Sequence, residues 1–119
     1  MANDLTFQQL QDAIGSAGAI SYDATEGIRI KIAAITGDTY TGLTSTGVIE
    51  ALSKLLAAAY KAQVTVNASA PIGARLNAFS QPALGIPTGD ANGNYYTVAT
   101  YTMQSQSPID LNSVVGPLV

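Results

Sequence analysis

The chain has 119 residues and a formal net charge of −3, but only 13 of its side chains are charged. It contains no histidine and no cysteine, which excludes Ser-His-Asp and Cys-His catalysis within one chain, disulfides and thiolate metal sites. The five basic residues never form a run, so nucleic acid and anionic membranes, which need clustered positive charge, are not expected as partners.

The scarcity of charge is the most informative property of the composition. An ordinary soluble domain is about one quarter Asp, Glu, Lys and Arg, whereas these residues make up 11% of this chain, and Ala, Thr, Ser and Gly together take 51 positions. Such a chain either covers its surface with neutral hydroxyls and amides or packs much of it against other subunits. The length fits a single domain, 1–119, in which 105–119 forms a C-terminal arm.

The first residues and the longest apolar run bear on localisation. The sequence from Met1 to Leu5 has neither the positive segment nor the apolar segment of a secretory signal. The longest strictly apolar run, Leu55 to Tyr60, is far shorter than the roughly 20 residues that span a bilayer. We therefore expect a protein made in the cytoplasm without a signal peptide, with no membrane partner, that becomes part of a virion or another assembled particle.

The N-terminal third predicts a short helix followed by two strands. Thr6 and Gln9 have the spacing of a capping box, and Gly15 is a natural stop, which predicts a helix over 6–14. The segment 19–22 can form a short strand. From Gly27 to Ile32 apolar and basic residues alternate strictly, which predicts a half-buried strand with its three isoleucines on one face.

A glycine-rich and hydroxyl-rich loop over 36–47 leads into the strongest predicted helix. This helix covers 48–61, while its end is ambiguous, because 64–66 also reads as the start of a strand. Its apolar stripe has the spacing of a heptad seam and predicts either intrachain core or a subunit interface. The stripe consists of Val48, Leu52, Leu55, Ala59, Ala62 and Val66.

The second half is typical of extended structure, since all five prolines and only three charges follow residue 62. The run 95–103 is rich in tyrosine and threonine and predicts a strand that forms a hairpin with the segment from Arg75 onward. The tail is too apolar for a disordered segment, and we expect it to dock on this subunit or on a neighbour. Its apolar residues that complete the predicted interface are Ile109, Leu111, Val114, Val115 and Leu118.

Several polar patterns have both a functional and a structural interpretation. The segment 90–94 resembles the opening of a calcium loop, but Tyr95 and Tyr101 stand where such a loop needs Gly and Glu, which favours a hairpin turn. Asp23 and Glu26 are the nearest pair of carboxylates and are typical of a turn. The basic face of the strand at 29–31 is typical of a solvated edge.

No reaction is indicated by these residues. A carboxylate pair converging about 5 to 10 Å apart in a cleft remains the enzymatic alternative. The sequence predicts no catalytic residue, no cofactor site, no metal site and no small-molecule substrate.

The predicted fold class is α+β, with an antiparallel sheet, one main amphipathic helix packed on it, a short N-terminal helix and an extended C-terminal arm. The predicted function is that of a non-enzymatic structural or assembly subunit that acts through self-association or docking into a larger particle. By composition alone the chain resembles small virion proteins of tailed bacteriophages, such as capsid decoration or tail components. The alternative is a small binding module that holds a carbohydrate or a peptide with the 36–47 loop and surface tyrosines.

Overall fold

A computed structural model describes residues 4–105 of the chain and has the predicted α+β class. The predicted C-terminal arm, with Ile109, Leu111, Val114, Val115 and Leu118, lies outside the described residues except for Ser105. The helices are α1 (Phe7–Ile14), α2 (Ile32–Thr36) and α3 (Val48–Asn67), and a 3-10 turn spans Ile72–Ala74. The strands are β1 (Ile20–Asp23), β2 (Gly27–Ile30), β3 (Ala83–Leu84), β4 (Thr88–Gly89), β5 (Tyr95–Tyr96) and β6 (Ala99–Thr100).

Helix α1 begins and ends as its sequence predicts. The Thr6 hydroxyl accepts a hydrogen bond from the Gln9 backbone N–H at 3.1 Å, and the Gln9 side chain accepts one from the Thr6 N–H at 2.8 Å. Gly15 ends the helix with a φ of 81°, and its N–H donates to the Gln11 carbonyl. Both ends are thus satisfied by local hydrogen bonds.

Strands β1 and β2 form an antiparallel hairpin in which Ile20 pairs with Ile30. The Lys31 N–H donates to the Ala19 carbonyl at 2.7 Å and is the last hydrogen bond of this ladder. The predicted strand to Ile32 is therefore too long, because β1 offers no partner beyond this point, and Ile32 begins helix α2 instead. The strand is also more exposed than predicted, since Ile30 retains 39% of its accessible surface.

Helix α3 runs to Asn67, so the segment 64–66 is helical and not the start of a strand. It packs against α1 and α2, and its buried face is made almost entirely of alanine. The buried residues of the helix are Ala51, Ala58, Ala59, Ala62 and Gln63. Small side chains on this face allow the neighbouring helices to approach closely.

The second half forms one long antiparallel ribbon, which we define as residues 78–104. Its paired positions run from Phe79 with Met103, through β3 with β6, to β4 with β5, as the predicted hairpin requires. Between successive ladders the upstream strand contains one residue more than the downstream strand, as at a β-bulge. Between the Phe79–Met103 pair and the Ala83–Thr100 pair, the upstream strand advances four residues and the downstream strand three. Between the Ala83–Thr100 pair and the Thr88–Tyr96 pair, the upstream strand advances five residues and the downstream strand four.

Proline explains where the ribbon is interrupted. Pro82 and Pro87 each lie in one of the two gaps between ladders. Because proline has no N–H, it cannot donate to a ladder and is confined to strand edges and bulges. The two prolines therefore separate the ladders of the ribbon. The β1-β2 hairpin pairs with neither of them, so residues 4–105 contain three two-stranded sheets where the sequence predicted one.

The described residues contain very little buried apolar surface. The buried apolar residues are Ala19, Ala51, Ala58, Ala59, Ala62 and Leu76. None of the large side chains in this part of the chain is fully buried, whereas 17 large apolar residues are exposed. Burial of apolar area is the dominant favourable contribution to folding, so a single copy has a small core.

Candidate functional site

The predicted interface stripe on helix α3 is divided into two parts. Ala59 and Ala62 are buried, and Leu55 is half-buried. Leu52 and Val48, about one and two turns before Leu55, keep 55% and 69% of their accessible surface. The C-terminal part of the stripe is therefore intrachain core, and the N-terminal part is available for contact with another molecule.

The exposed part of the stripe forms one wall of an apolar groove of about 390 Å³. The second half of the 36–47 loop and Ile32 at the start of α2 also line the groove. The side chains that give the groove its apolar character are Ile32, Tyr40, Leu43, Val48, Leu52 and Leu55. A groove of this volume and lining fits one or two apolar side chains of a partner.

Tyr40 fixes the loop against the start of helix α3. Its hydroxyl lies 2.7 Å from the Thr36 hydroxyl, and its ring covers Gly47, where a Cβ atom would lie 3.2 Å from the tyrosine oxygen. Gly47 also has a φ of 136°, which side chains rarely allow. The Thr41 N–H donates to the Ser45 hydroxyl at 3.1 Å and holds the loop tip. The groove wall is thus preformed by the chain's own contacts.

A small charged cluster links α2 to α3 beside the loop. The Lys54 ammonium lies 3.0 Å from the Glu50 carboxylate and donates to the Thr36 carbonyl at 3.2 Å. A hydrogen bond to Glu50 and its like charge raise the pKa of Asp38 above the ordinary value. Hydrogen bonds from Asp38 and Lys54 lower the pKa of Glu50. Asp38 and Glu50 therefore interact as a pair at the protein surface, and neither of them lines the groove.

We expect Asp38→Asn to raise the thermal midpoint of unfolding at pH 7. The raised pKa of Asp38 means that its contribution to stability is present below the ordinary value of 3.8 and is lost as the pH rises through the raised pKa. Asparagine keeps a donor toward Glu50 at every pH, so the gain should shrink as the pH falls to 3. Thermal unfolding at several pH values measures it, with Asp12→Asn as a control that removes the same charge. An equal gain at pH 3 and pH 7 would contradict this assignment.

Two amide side chains on helix α3 hold the base of the ribbon. The Gln63 amide donates to the Phe79 carbonyl at 2.8 Å and accepts from the Ala78 and Phe79 N–H groups at 2.9 and 3.0 Å. One helical turn further on, Asn67 donates to the Leu76 carbonyl and accepts from its N–H, both at 2.8 Å. The pair, which we call the amide clamp, replaces a neighbouring strand for residues 76–79.

The amide clamp was not predicted from the sequence. Gln63 is only 5% exposed although it is polar, and it lies next to Ala62 and four residues after Ala59 on the buried face. Two amides at positions i and i+4 point from the same side of a helix. That spacing, on a face otherwise made of small apolar residues, is the sequence signal that would have identified the clamp.

The tip of the ribbon is a hairpin turn held by Asp90. Its carboxylate accepts hydrogen bonds from the backbone N–H groups of Asn92 and Asn94 at 2.9 and 3.0 Å. The bond from Asn94 is the larger cause, and together these bonds lower the pKa of Asp90. The Asp90 carboxylate therefore accepts hydrogen bonds within its own turn, as expected if 90–94 forms a hairpin turn.

The remaining polar candidates also have local partners. Asp23 accepts from the N–H groups of Thr25 and Glu26, as a turn former does. Glu26 pairs with Arg29 at 2.7 Å on the exposed face of β2. Within residues 4–105, no group of three or more acidic, histidine or cysteine side chains is placed to bind a metal ion.

The tyrosines of the ribbon lie apart from the groove lining. Tyr95 and Tyr96 keep 77% and 61% of their accessible surface, and Tyr101 is half-buried. The ring of Tyr95 lies across Gly89, where a Cβ atom would be 3.0 Å from the ring. The groove beside the 36–47 loop is thus lined by Tyr40 of the loop itself and by none of the three ribbon tyrosines.

Comparisons with known proteins assign a function to neither the groove nor the ribbon. No protein family, no curated protein and no solved structure matches the chain. Among the helices of residues 4–105, none is both long and apolar enough to cross a membrane.

Proposed function

We propose that this protein is a non-enzymatic structural subunit that works by self-association within a larger particle. The observation that carries the proposal is the imbalance between its core and its surface. Five of its six buried apolar residues are alanines, while 17 large apolar side chains are exposed in the described part of the chain. Isolated monomers rarely expose large contiguous apolar patches, and such patches mark interaction sites.

The distribution of charge supports the same proposal. The ribbon contains one charged residue, Asp90, at its tip. Charged residues are depleted in the cores of protein interfaces, where aromatic residues and methionine are enriched. The ribbon matches this composition, since it exposes Tyr95, Tyr96 and Met103. A small virion protein of a tailed phage, such as a capsid decoration or tail component, is the class of particle subunit that its composition resembles.

Light scattering of the full chain over a range of micromolar concentrations tests the proposal. We expect a molar mass that is a multiple of 12.2 kDa and a thermal midpoint that rises with concentration, because association stabilises the folded state by mass action. A 12.2 kDa species at every concentration, with a midpoint that does not depend on concentration, would overturn it.

The groove favours a second function, that of a peptide-binding module. Its lining is apolar, which suits the side chains of a peptide better than a sugar. Screening on a peptide array tests this alternative, followed by comparison of Leu52→Asp with Ile49→Asp. Leu52 lines the groove, whereas Ile49 is 86% exposed on the same helix outside the lining. Binding that is lost only in Leu52→Asp would support the module, and equal binding by both variants would exclude the groove.

A further inference from the structure

We infer that the downstream strand of the ribbon, Tyr95–Met103, is a dimerisation edge that pairs antiparallel with the same strand of a second copy. This inference rests on the proposed self-association and names the surface that makes it. In the described part of the chain each ladder of the ribbon has only two strands. Two-stranded ribbons are marginally stable in water, and three or more strands with an apolar face are needed for independent stability.

The hydrogen bonds inside the ribbon show which backbone groups face inward. The N–H groups of Ser80 and Gly85 donate to the carbonyls of Thr102 and Val98, at 3.2 and 2.8 Å. Toward the tip, the Asp90 N–H donates to the Asn94 carbonyl at 2.8 Å. On the downstream strand, the even-numbered residues therefore point their backbone groups into the ribbon.

The odd-numbered residues of the same strand point their N–H and C=O groups to the outer edge, because these directions alternate along an antiparallel strand. The bulges lie on the upstream strand, so this alternation is uninterrupted from one end of the downstream strand to the other. The residues that present the outer edge are Tyr95, Thr97, Ala99, Tyr101 and Met103.

The two edges of the ribbon differ in their capacity to accept another strand. On the upstream edge, the N–H and C=O of Phe79 are already bonded to Gln63, and Pro82 and Pro87 cannot donate. Prolines at an edge are a common protection against unwanted pairing. The downstream strand contains no proline and no charge from Tyr95 to Met103, which is the profile of a strand that pairs edge to edge.

Charge favours an antiparallel arrangement of two copies. A neutral edge can face its own copy without repulsion between like charges across the pair. In a parallel arrangement the two tips, each with an Asp90 carboxylate, would lie side by side. An antiparallel pair places the tips at opposite ends and also separates the two helical parts.

The resulting sheet has four strands, in the order upstream, downstream, downstream and upstream. One face of it is apolar, because Tyr95, Ala99, Tyr101 and Met103 alternate onto the same side of the downstream strand. Leu84, the cross-strand partner of Ala99, and Phe79, the partner of Met103, lie on that side too. The outer strands are the two that carry the prolines. Association through this edge therefore stops at two copies, without continuing into a fibre.

Two proline variants on opposite sides of one cross-strand pair test the inference. Ala99 and Leu84 are paired in the β3-β6 ladder at a position between its hydrogen-bonded pairs, so their N–H groups point to opposite outer edges. We expect Ala99→Pro to reduce the molar mass measured by light scattering from two chains to one. Leu84→Pro, the matched control, should leave the dimer intact, and far-UV circular dichroism should verify that both variants fold.

Amide exchange on the unmodified chain provides a measurement that does not depend on the folding of a variant. We expect the N–H groups of Thr97, Ala99 and Tyr101 to gain protection as the concentration rises, in parallel with the molar mass. A dimer that persists in folded Ala99→Pro, an equal loss in Leu84→Pro, or protection that does not change with concentration would overturn the edge but leave self-association standing. A wild-type chain that remains monomeric would overturn both.

Discussion

Replacing Gln63 by leucine is expected to detach the base of the ribbon from helix α3 and to lower the free energy of unfolding by about 2–4 kcal/mol. The substitution is close in volume and keeps the helix propensity, but it removes the three hydrogen bonds between the Gln63 side chain and residues 78 and 79. The N–H groups of Ala78 and Phe79 and the Phe79 carbonyl then lose their partner. One unsatisfied backbone group costs about 1–3 kcal/mol while it stays buried, and the total stays below the sum for three groups because the detached residues become accessible to water.

Urea unfolding at a fixed protein concentration measures the loss, and amide exchange at Ala78 and Phe79 locates it. Gln81→Leu is the matched control, because it makes the same chemical change at an exposed position of the ribbon. A loss below about 0.5 kcal/mol in Gln63→Leu, with unchanged exchange at the two amides, would show that the clamp does not hold the ribbon.

Replacing Ala62 by leucine is expected to lower the free energy of unfolding by about 1–3 kcal/mol, because added methylene groups in a close-packed site force neighbouring atoms to move. Ala62 is the most buried residue of helix α3, with 2% of its accessible surface remaining. The helix packs against α1 and α2 through this alanine face. A larger side chain must separate the helices or adopt a strained rotamer.

Thermal unfolding checks this second prediction, and the expected change corresponds to several degrees in the midpoint for a chain of this length. Ala57→Leu is the control, since it adds the same atoms to the same helix on a half-buried position outside the alanine face. A midpoint of Ala62→Leu equal to or above that of Ala57→Leu would mean that the alanine face has room for a larger side chain.

The two candidate surfaces have complementary roles in the proposed assembly. The downstream edge of the ribbon presents outward-pointing N–H and C=O groups along an uncharged strand, which suits pairing with a second copy. The groove beside Leu52 offers an apolar concavity that the chain itself holds open through Tyr40. A pair of copies joined at the ribbon edge would carry two grooves, so the peptide-binding alternative is compatible with dimerisation and would then describe how the pair attaches to its particle.

The stripe on helix α3 shows how far sequence periodicity could predict the site. Periodicity placed Leu52, Leu55 and Ala59 on one face of the helix. Ala59 is buried within the chain, whereas Leu52 and Leu55 line the groove. It could not show that other parts of the chain bury Ala59 and Ala62 and leave Val48 and Leu52 exposed. The same spacing is produced by core and by interface, and only the position of the neighbouring helices separates them.

Local chemistry was enough to determine the capped helix at Thr6 and the turn at Asp90, because each depends on hydrogen bonds within a few residues. The hairpin of the second half was also predicted, but as one unbroken strand over 95–103, whereas the structure has the two short strands β5 and β6 there. Only the tertiary structure decided that Ile32 begins a helix, that α3 continues to Asn67, and that the base of the ribbon is held by two amides. These outcomes depend on partners that are distant in sequence. Ile32 begins a helix because β1 offers no further hydrogen bonds beyond Ala19, and the clamp forms because residues 76–79 lie against helix α3. No local sequence pattern contains that information.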